Sequence, residues 1–257
     1  EGWYQLDVPG SATLPNLRTT GSVSSQVLTA VSGAIPPFST DSPSAELGNK
    51  TTAGFTKGSL LFSGTLAPIP AYQSANMGDF HFYSAAGSDI PFTISSWVRI
   101  NEHAKSAAMD SGIIAGRWGN TRSDAKAYRF GVHDHEMVFQ VYDANTGGNL
   151  HLSTVLSSSH FENWMHVAAS YDGSESHTGL RLYINGQRMF GTNNETGTYV
   201  KMRTAGTLFT IGNSEHPRST YRFPGLISEV ALWSKVLSQN EVRALYHART
   251  EVAKLGS

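Results

Sequence analysis

The sequence predicts an all-β fold: a two-sheet antiparallel sandwich with one short C-terminal helix. Three observations carry this. Nearly every readable segment alternates in hydropathy with a period of two. The segments are short, rich in β-branched and aromatic residues, and separated by Gly, Asn, Asp and Ser clusters, the pattern of sandwiches and barrels. A helix is clearly signposted once, near the C-terminus.

The elements follow in chain order. Residues 10–58 are rich in Ser, Thr, Pro and Gly and are broken by IPPF and DSPS. They predict long loops with a few edge strands, packed on the sandwich rather than forming a second domain, so 1–257 is expected to be a single domain. FTISSWVRI (residues 92–100) puts Phe92, Ile94, Ser96, Val98 and Ile100 on one side and Thr93, Ser95, Trp97 and Arg99 on the other. AYRFGV and MVFQVY read as successive strands, which makes His133-Asp134-His135-Glu136 the connection between them. In an extended chain the two histidines share one face and the two acids the other. Tetrahedral zinc needs three or four convergent ligands, usually from more than one segment. This stretch is expected to turn a corner.

LHLSTVL, WMHVAASY, LRLYI, RMFG, TLFTIG and LISEVALW alternate in the same way. Between LRLYI and RMF, Asn185-Gly186 offers two residues that accept positive φ, as a tight type I′ hairpin requires. In LSQNEVRALYHA, Ser238 as N-cap and Glu241 three residues on form a capping box, and Val242, Leu245 and Tyr246 recur at helical spacing. The tail RTEVAKLGS carries no fold signal and is expected to fray.

Of the 257 residues, 39% are hydrophobic and 15% charged; Lys+Arg number 19 against 20 Asp+Glu, for a formal net charge of −1. That balance gives no basic surplus for nucleic acid or an anionic membrane. There is no cysteine, which excludes disulfides and thiolate chemistry. No apolar run approaches the ~20 residues of a membrane helix. A chain beginning at Glu1 without Met is expected to be a processed product or a piece of something larger. The Ser/Thr/Gly/Asn texture suits exposed β-structure and points to an extracellular, cell-surface or virion setting.

Six segments in order resemble landmarks of the laminin-G-like, concanavalin A-type jelly rolls, in particular the branch related to pentraxins. They are GWYQLD (2–7), GSLLFSG (58–64), FTISSWVRI (92–100), NWMHVAASYDG (163–173) with LRLYINGQ (180–187), IGN (211–213), and FPGLISEVALWSKVLSQNEVRALY (223–246). The resemblance implies two antiparallel sheets packed face to face with the first and last strands adjacent. It also implies that His166 serves packing and hydrogen bonding within its strand. It leaves function open, because one fold hosts many activities.

Relatives of this kind often bind calcium through loop carboxylates. The segment where pentraxins cluster acids reads NSEHPRSTYRF here, with Glu215 its one acid, and Ser63 and Ser228 stand where the family has Asp. No cofactor is required; one structural calcium held by backbone carbonyls and loop Asn/Asp stays open. The Glu-x-Asp-x-x-Glu pattern of jelly-roll glucanases is missing, Glu229 stands alone, and Asp172 lies in a turn, so a hydrolase is the least favoured reading.

Carbohydrate recognition combines aromatic rings, which stack on apolar sugar faces, with polar side chains that fix orientation. Trp97, Trp164 and Trp233 lie in strand motifs and read as core. Trp118, in GRWGNTRSD, sits where a strand gives way to a loop, with Arg117, Asn120 and Arg122 nearby. It reads either as an indole folded over the sandwich edge or as a ligand platform. Glu215, His216 and Tyr221 are further loop candidates. The leading expectation is a non-catalytic module that binds a glycan or surface glycoconjugate at one rim or on the concave face. The alternative is a structural or decoration protein of a virion or cell surface that packs against neighbouring protein subunits.

Overall fold

The computed structural model describes residues 2–4, 6, 10–14, 27–43, 58–62, 70–76, 79–84, 87–102, 112–119, 126–202, 206–215 and 221–248. Among them, the strands are β1 (Gly2–Tyr4), β2 (Thr13–Leu14), β3 (Leu28–Ala30), β4 (Phe38–Ser39), β5 (Ser59–Leu61), β6 (Tyr72–Ser74), β7 (Phe92–Ile100), β8 (Gly112–Trp118) and β9 (Lys126–His133). There follow β10 (Glu136–Tyr142), β11 (Asn149–Val155), β12 (Trp164–Tyr171), β13 (Leu180–Ile184), β14 (Gln187–Met189), β15 (Thr192–Thr196), β16 (Thr210–Ile211) and β17 (Gly225–Trp233), then helix α1 (Gln239–Ala248).

They form two antiparallel sheets. One runs β14-β13-β12-β7-β17-β5-β4, with β1 also on β17; the other runs β15-β11-β10-β9-β8-β16-β6-β3-β2. The first and last strands are thus adjacent, Trp3 opposite Ala231. The described parts of 10–58 add β2 and β3 to the edge of one sheet and β4 to the other. The remainder of that region and the C-terminal tail lie outside the described residues.

The core follows from strand alternation. Phe92, Ile94, Val98 and Ile100 of β7 point between the sheets and meet Tyr128, Phe130, Phe139 and Val141 of β9 and β10. Phe92 is a hub: its ring stacks on Phe82 at 4.2 Å and lies 5.0 Å from Tyr128 and 5.7 Å from Phe139. Burial of each such side chain stabilises the fold by roughly 1.5–3 kcal/mol.

The other phase of β7 has a different fate. Trp97 packs with Trp164 and Leu226 on the outer face of the eight-stranded sheet, against Tyr246 of α1. Trp233, Tyr183, Ala168 and Ala231 meet Leu237, Val242 and Leu245. The three strand tryptophans are therefore buried, but beneath the helix rather than between the sheets. The helix begins as its sequence predicts. The Glu241 amide donates to Ser238 Oγ at 3.3 Å and the Ser238 amide to Glu241 Oε2 at 2.7 Å. Asn185 and Gly186 take φ of 50° and 76°, the I′ geometry.

His166 lies in this covered layer, its ring edge-on to Trp97 at 5.4 Å. Its Nδ1 has no hydrogen-bond partner among the described residues, so packing rather than that nitrogen's bonding holds the ring. Burial depresses the imidazole to about 3, whereas in the unfolded chain it titrates at its ordinary value of 6.5. A depressed folded value means that unfolding takes up a proton between about pH 6.5 and 3, so stability is full above that window and falls within it. The expected slope is about 1.4 kcal/mol per pH unit from this group. Urea unfolding of wild type and His166→Gln at pH 7, 6, 5 and 4 checks this; the variant should lose that share of the acid sensitivity, and parallel curves would refute it.

Candidate functional site

α1 covers the outer face of one sheet; on the outer face of the other, Ile113, Trp118, Val138 and Ser153 are buried and Arg129, Gln140, Tyr142, Asn149 and His151 are half-buried. Strand register assigns the side chains of this open face in rows. One row reads Gly116–Arg129–Gln140–His151–Asn194 across β8, β9, β10, β11 and β15. The next toward the β9–β10 turn reads Ile113–Gly131–Val138–Ser153–Thr192. On the opposite side, Trp118 faces Lys126, and Tyr142 faces Asn149, which faces Thr196.

A bulge shapes the upper row. Register shifts between Arg117 and Trp118, so that Arg117 opposes Tyr128 and Trp118 opposes Lys126, passing over Ala127. Arg117 consequently points inward beside the core tyrosine, and Trp118 points outward.

The outward groups form a connected cluster. The Trp118 and Tyr142 rings meet edge to face at 5.8 Å. Lys126 Nζ lies 5.1 Å from the Trp118 ring centre and 5.3 Å from that of Tyr142, and the Arg129 guanidinium carbon lies 4.8 Å from the Trp118 ring. Cations over an indole gain roughly 0.5–2 kcal/mol each. Arg129 Nε donates to Gln140 Oε1 at 2.9 Å, and Gln140 Nε2 donates to Asn149 Oδ1 at 2.8 Å, a polar ladder over three strands. Desolvation lowers the Arg129 guanidinium to about 10 and lowers Lys126 as well, with Arg129 repelling the ammonium; Arg129 remains protonated at neutral pH. Desolvation, then Arg129, also lowers His151.

Below the cluster the face is indented. Arg129, Ile113, Gly131, His133 and Val138 line a shallow depression too tight to admit a water molecule. It adjoins a second, with room for no more than about one water molecule, which shares Gly112, Val132 and His133 and reaches Asp134, His135, Phe161 and Pro224 at the sandwich end. The His133-Asp134-His135-Glu136 stretch is the β9–β10 turn, with φ of 44° at Asp134 and 68° at His135. Among the described residues no three His, Asp or Glu side chains come together as metal ligands.

The candidates read from sequence fall in different places. Trp118 is on the open face but only 4% exposed, because Tyr142 and the two cations lie against it. The surface there offers charged ends rather than an indole face. Arg117 is fully buried, donating from Nε and Nη2 to the Thr207 carbonyl at 3.2 and 2.7 Å. These bonds hold its side chain inside the sandwich. Glu215 is half-buried and its amide donates to the Trp118 carbonyl at 3.0 Å, which ties this loop to the end of β8. Tyr221 is half-buried and acts electrostatically on Arg129. Asn120, Arg122 and His216 lie outside the described residues. Lys126, Arg129, Gln140, Tyr142 and Asn149 were not among the sequence candidates; what marks them is their outward phase on three consecutive strands.

For calcium, the described part of the 213–223 segment supplies one carboxylate, Glu215, and Asn213, whose Oδ1 already accepts from the Ser214 amide at 2.8 Å. These residues do not fit a cage built of carboxylates. Of the acids weighed for hydrolysis, Glu229 is buried at the β17 bulge with φ 51°, and Asp172 accepts from the Ser174 amide at 3.0 Å and faces Arg181 at 3.5 Å.

A family described as the concanavalin A-like lectin/glucanases superfamily, of the laminin-G type, matches residues 72–243, and the chain belongs to it. No curated protein sequence matches the chain. Similar solved structures include the botulinum neurotoxin type G receptor-binding domain (TM-score 0.58, 12% identity) and the binding domain of Paraclostridial mosquitocidal protein 1 (0.58, 12%). Another is a structure of botulinum neurotoxin type C, whose cell entry depends upon interaction with two ganglioside molecules (0.60, 14%). Each alignment covers 96% of this chain and 50–51% of the other, so the chain spans about half the length of these structures. At such identity they share the fold.

The indentation depends on glycine. A Cβ on Gly131 would stand 2.0 Å from the Gly112 carbonyl oxygen of β8, so any side chain forces two paired strands apart. Gly131→Ala is expected to cost about 1–3 kcal/mol, as overpacking does. Thermal denaturation should show a fall of roughly 2–10 °C; an unchanged midpoint would contradict the close strand approach.

Proposed function

We propose that this member of the concanavalin A-like lectin/glucanase superfamily is a non-catalytic binding module. It takes a glycan or surface glycoconjugate on the outer face of its nine-stranded sheet, in an extracellular, cell-surface or virion setting. One observation carries the reading: the helix closes one outer face, while the other keeps an indented, hydrogen-bonded row of polar and aromatic groups at half-buried positions. Sugars combine hydroxyls with apolar ring faces, and Arg129, Gln140 and Asn149 beside Tyr142 match both. The likeness to toxin binding domains, one of which interacts with gangliosides, supports recognition rather than turnover. The opening GWYQLD and the IGN segment support the finer placement beside the pentraxin-related branch.

A second reading, packing against neighbouring protein subunits, is favoured by one observation. Strand β15 is exposed along its whole length, and Phe190 and Val155 nearby are 76% and 68% exposed. An open edge of this kind is a template for pairing.

A glycan array of wild type beside Tyr142→Ala, Asn149→Ala and Arg243→Ala separates the two. Arg243 is exposed on α1, away from the open face. The expected result is a saccharide hit weakened about tenfold by each of the first two changes, the scale of one lost polar or aromatic contact, and unaffected by the third. A hit equally strong in all four proteins refutes the assigned face. A blank array, with sedimentation showing a stable oligomer, favours the packing reading instead.

A further inference from the structure

Strand β15 reads TNNET and lies at the edge of the nine-stranded sheet. It holds the triplet Asn194-Glu195-Thr196, an Asn-x-Thr whose middle residue is not proline, the acceptor pattern for N-linked glycosylation. A triplet this short recurs by chance; its place in the fold is what sets this one apart. Every residue of β15 is exposed, the Asn and the Thr included. Asn194 lies opposite His151 of β11, so its side chain leaves from the outer face of the sheet. Neighbouring polar groups are engaged: Asn193 Oδ1 lies 3.3 Å from His177 Nδ1, and Glu195 accepts from the Tyr199 amide at 3.0 Å. The Asn194 carboxamide bonds no other described residue.

The same strand presents an unpaired row of backbone groups, because no described strand pairs with its other side. Natural edges of this kind are blunted by lysine, proline or a bulge. β15 pairs with β11 in unbroken register from Thr192 to Thr196 and carries neither lysine nor proline. Its one charge, Glu195, is turned back onto its own chain at Tyr199.

We propose that Asn194 is an N-glycosylation site and that the oligosaccharide it carries guards the β15 edge. Transfer joins Asn194 Nδ2 to the anomeric carbon of an oligosaccharide supplied as a lipid diphosphate. The bond from that carbon to the diphosphate oxygen breaks, the lipid diphosphate leaves with the bonding pair, and the amide releases one proton to solvent. A hydrated chain rooted at the middle of the strand denies a second strand the approach to about 4.8 Å that ladder pairing needs. The inference does not rest on the glycan-binding reading. It bears on the packing reading, since an edge so covered is closed to neighbouring subunits.

The test secretes the full chain from eukaryotic cells and maps its peptides by mass before and after enzymatic removal of N-glycans. Wild type is compared with Asn194→Gln, Thr196→Ala and Thr196→Ser. Mapping by peptide separates Asn194 from Asn49, whose own triplet Asn49-Lys50-Thr51 lies outside the described residues. The expected result is a glycan on the Asn194 peptide of wild type and Thr196→Ser, and none in the other two. Sedimentation should then show Asn194→Gln and Thr196→Ala, both melting cooperatively, self-associating at concentrations about tenfold lower than wild type.

A bare Asn194 in the secreted wild type would overturn the site. A glycan on Asn194, with both unglycosylated variants sedimenting as wild type does, would overturn the guarding role. Association in only one of the two variants would overturn it as well, in favour of an effect of that substitution itself.

Discussion

A two-layer sandwich has four sheet faces and buries two of them by construction; the fate of the other two governs the rest of this molecule. The eight-stranded sheet carries Trp97, Trp164, Trp233 and Tyr183 on its outer face, far too much apolar area to leave in water. Helix α1 exists to cover it, and its Val242 and Leu245 are spent there. The capping box at Ser238 and Glu241 fixes where that cover begins, and Lys235 reinforces it through a 3.1 Å contact with Glu241. Among the described residues no helix lies on the outer face of the other sheet, and its half-buried side chains are polar and aromatic.

That remaining face is extended by β15, and the segment after β15 is held by two buried carboxylates. Asp89 accepts from the Tyr171 and Tyr199 hydroxyls at 2.8 and 2.5 Å and from the Met202 amide at 2.7 Å. Desolvation pushes its carboxyl upward and the two tyrosine bonds pull it back. Asp143 accepts from the Asn145 amide at 2.9 Å and from the Val200 and Lys201 amides at 3.3 and 3.4 Å. Burying an acid without donors costs several kcal/mol, so each carboxylate demands these amides and hydroxyls in place. The result is a fixed return path after the edge strand. A similar device works on the other sheet, where Trp164 Nε1 donates to Asp41 at 2.7 Å and Arg99 pairs with Asp41 and Glu162.

Alternation made the fold legible. FTISSWVRI divides into a core phase and an outer phase along the lines its letters show, Asn185-Gly186 turns as it must, and the HDHE stretch is a turn because two strands flank it. The destination of the outer phase was less legible, since nothing in Trp97 or Trp233 says whether a second sheet or a helix will cover it. The site was legible only in part. Trp118 stands out as an aromatic at a strand end, yet the bulge that turns it outward and Arg117 inward depends on an extra residue, Ala127, in the partner strand. Period two says that Arg129, Gln140 and His151 each face away from the core. That they form one row requires the register of β9, β10 and β11, which is a tertiary fact.

The rows hold their side chains more firmly than a loop rim would. Groups on paired strands are held by the ladder beneath them, so little ordering remains to oppose binding. Arg129 is further restrained by Gln140 on one side and by the Trp118 ring on the other. Capping the indole with Lys126 and Arg129 also answers a difficulty that an open face creates, because a bare tryptophan there would invite non-specific association. The aromatic rings act as a rigid backing that sets where those charges stand.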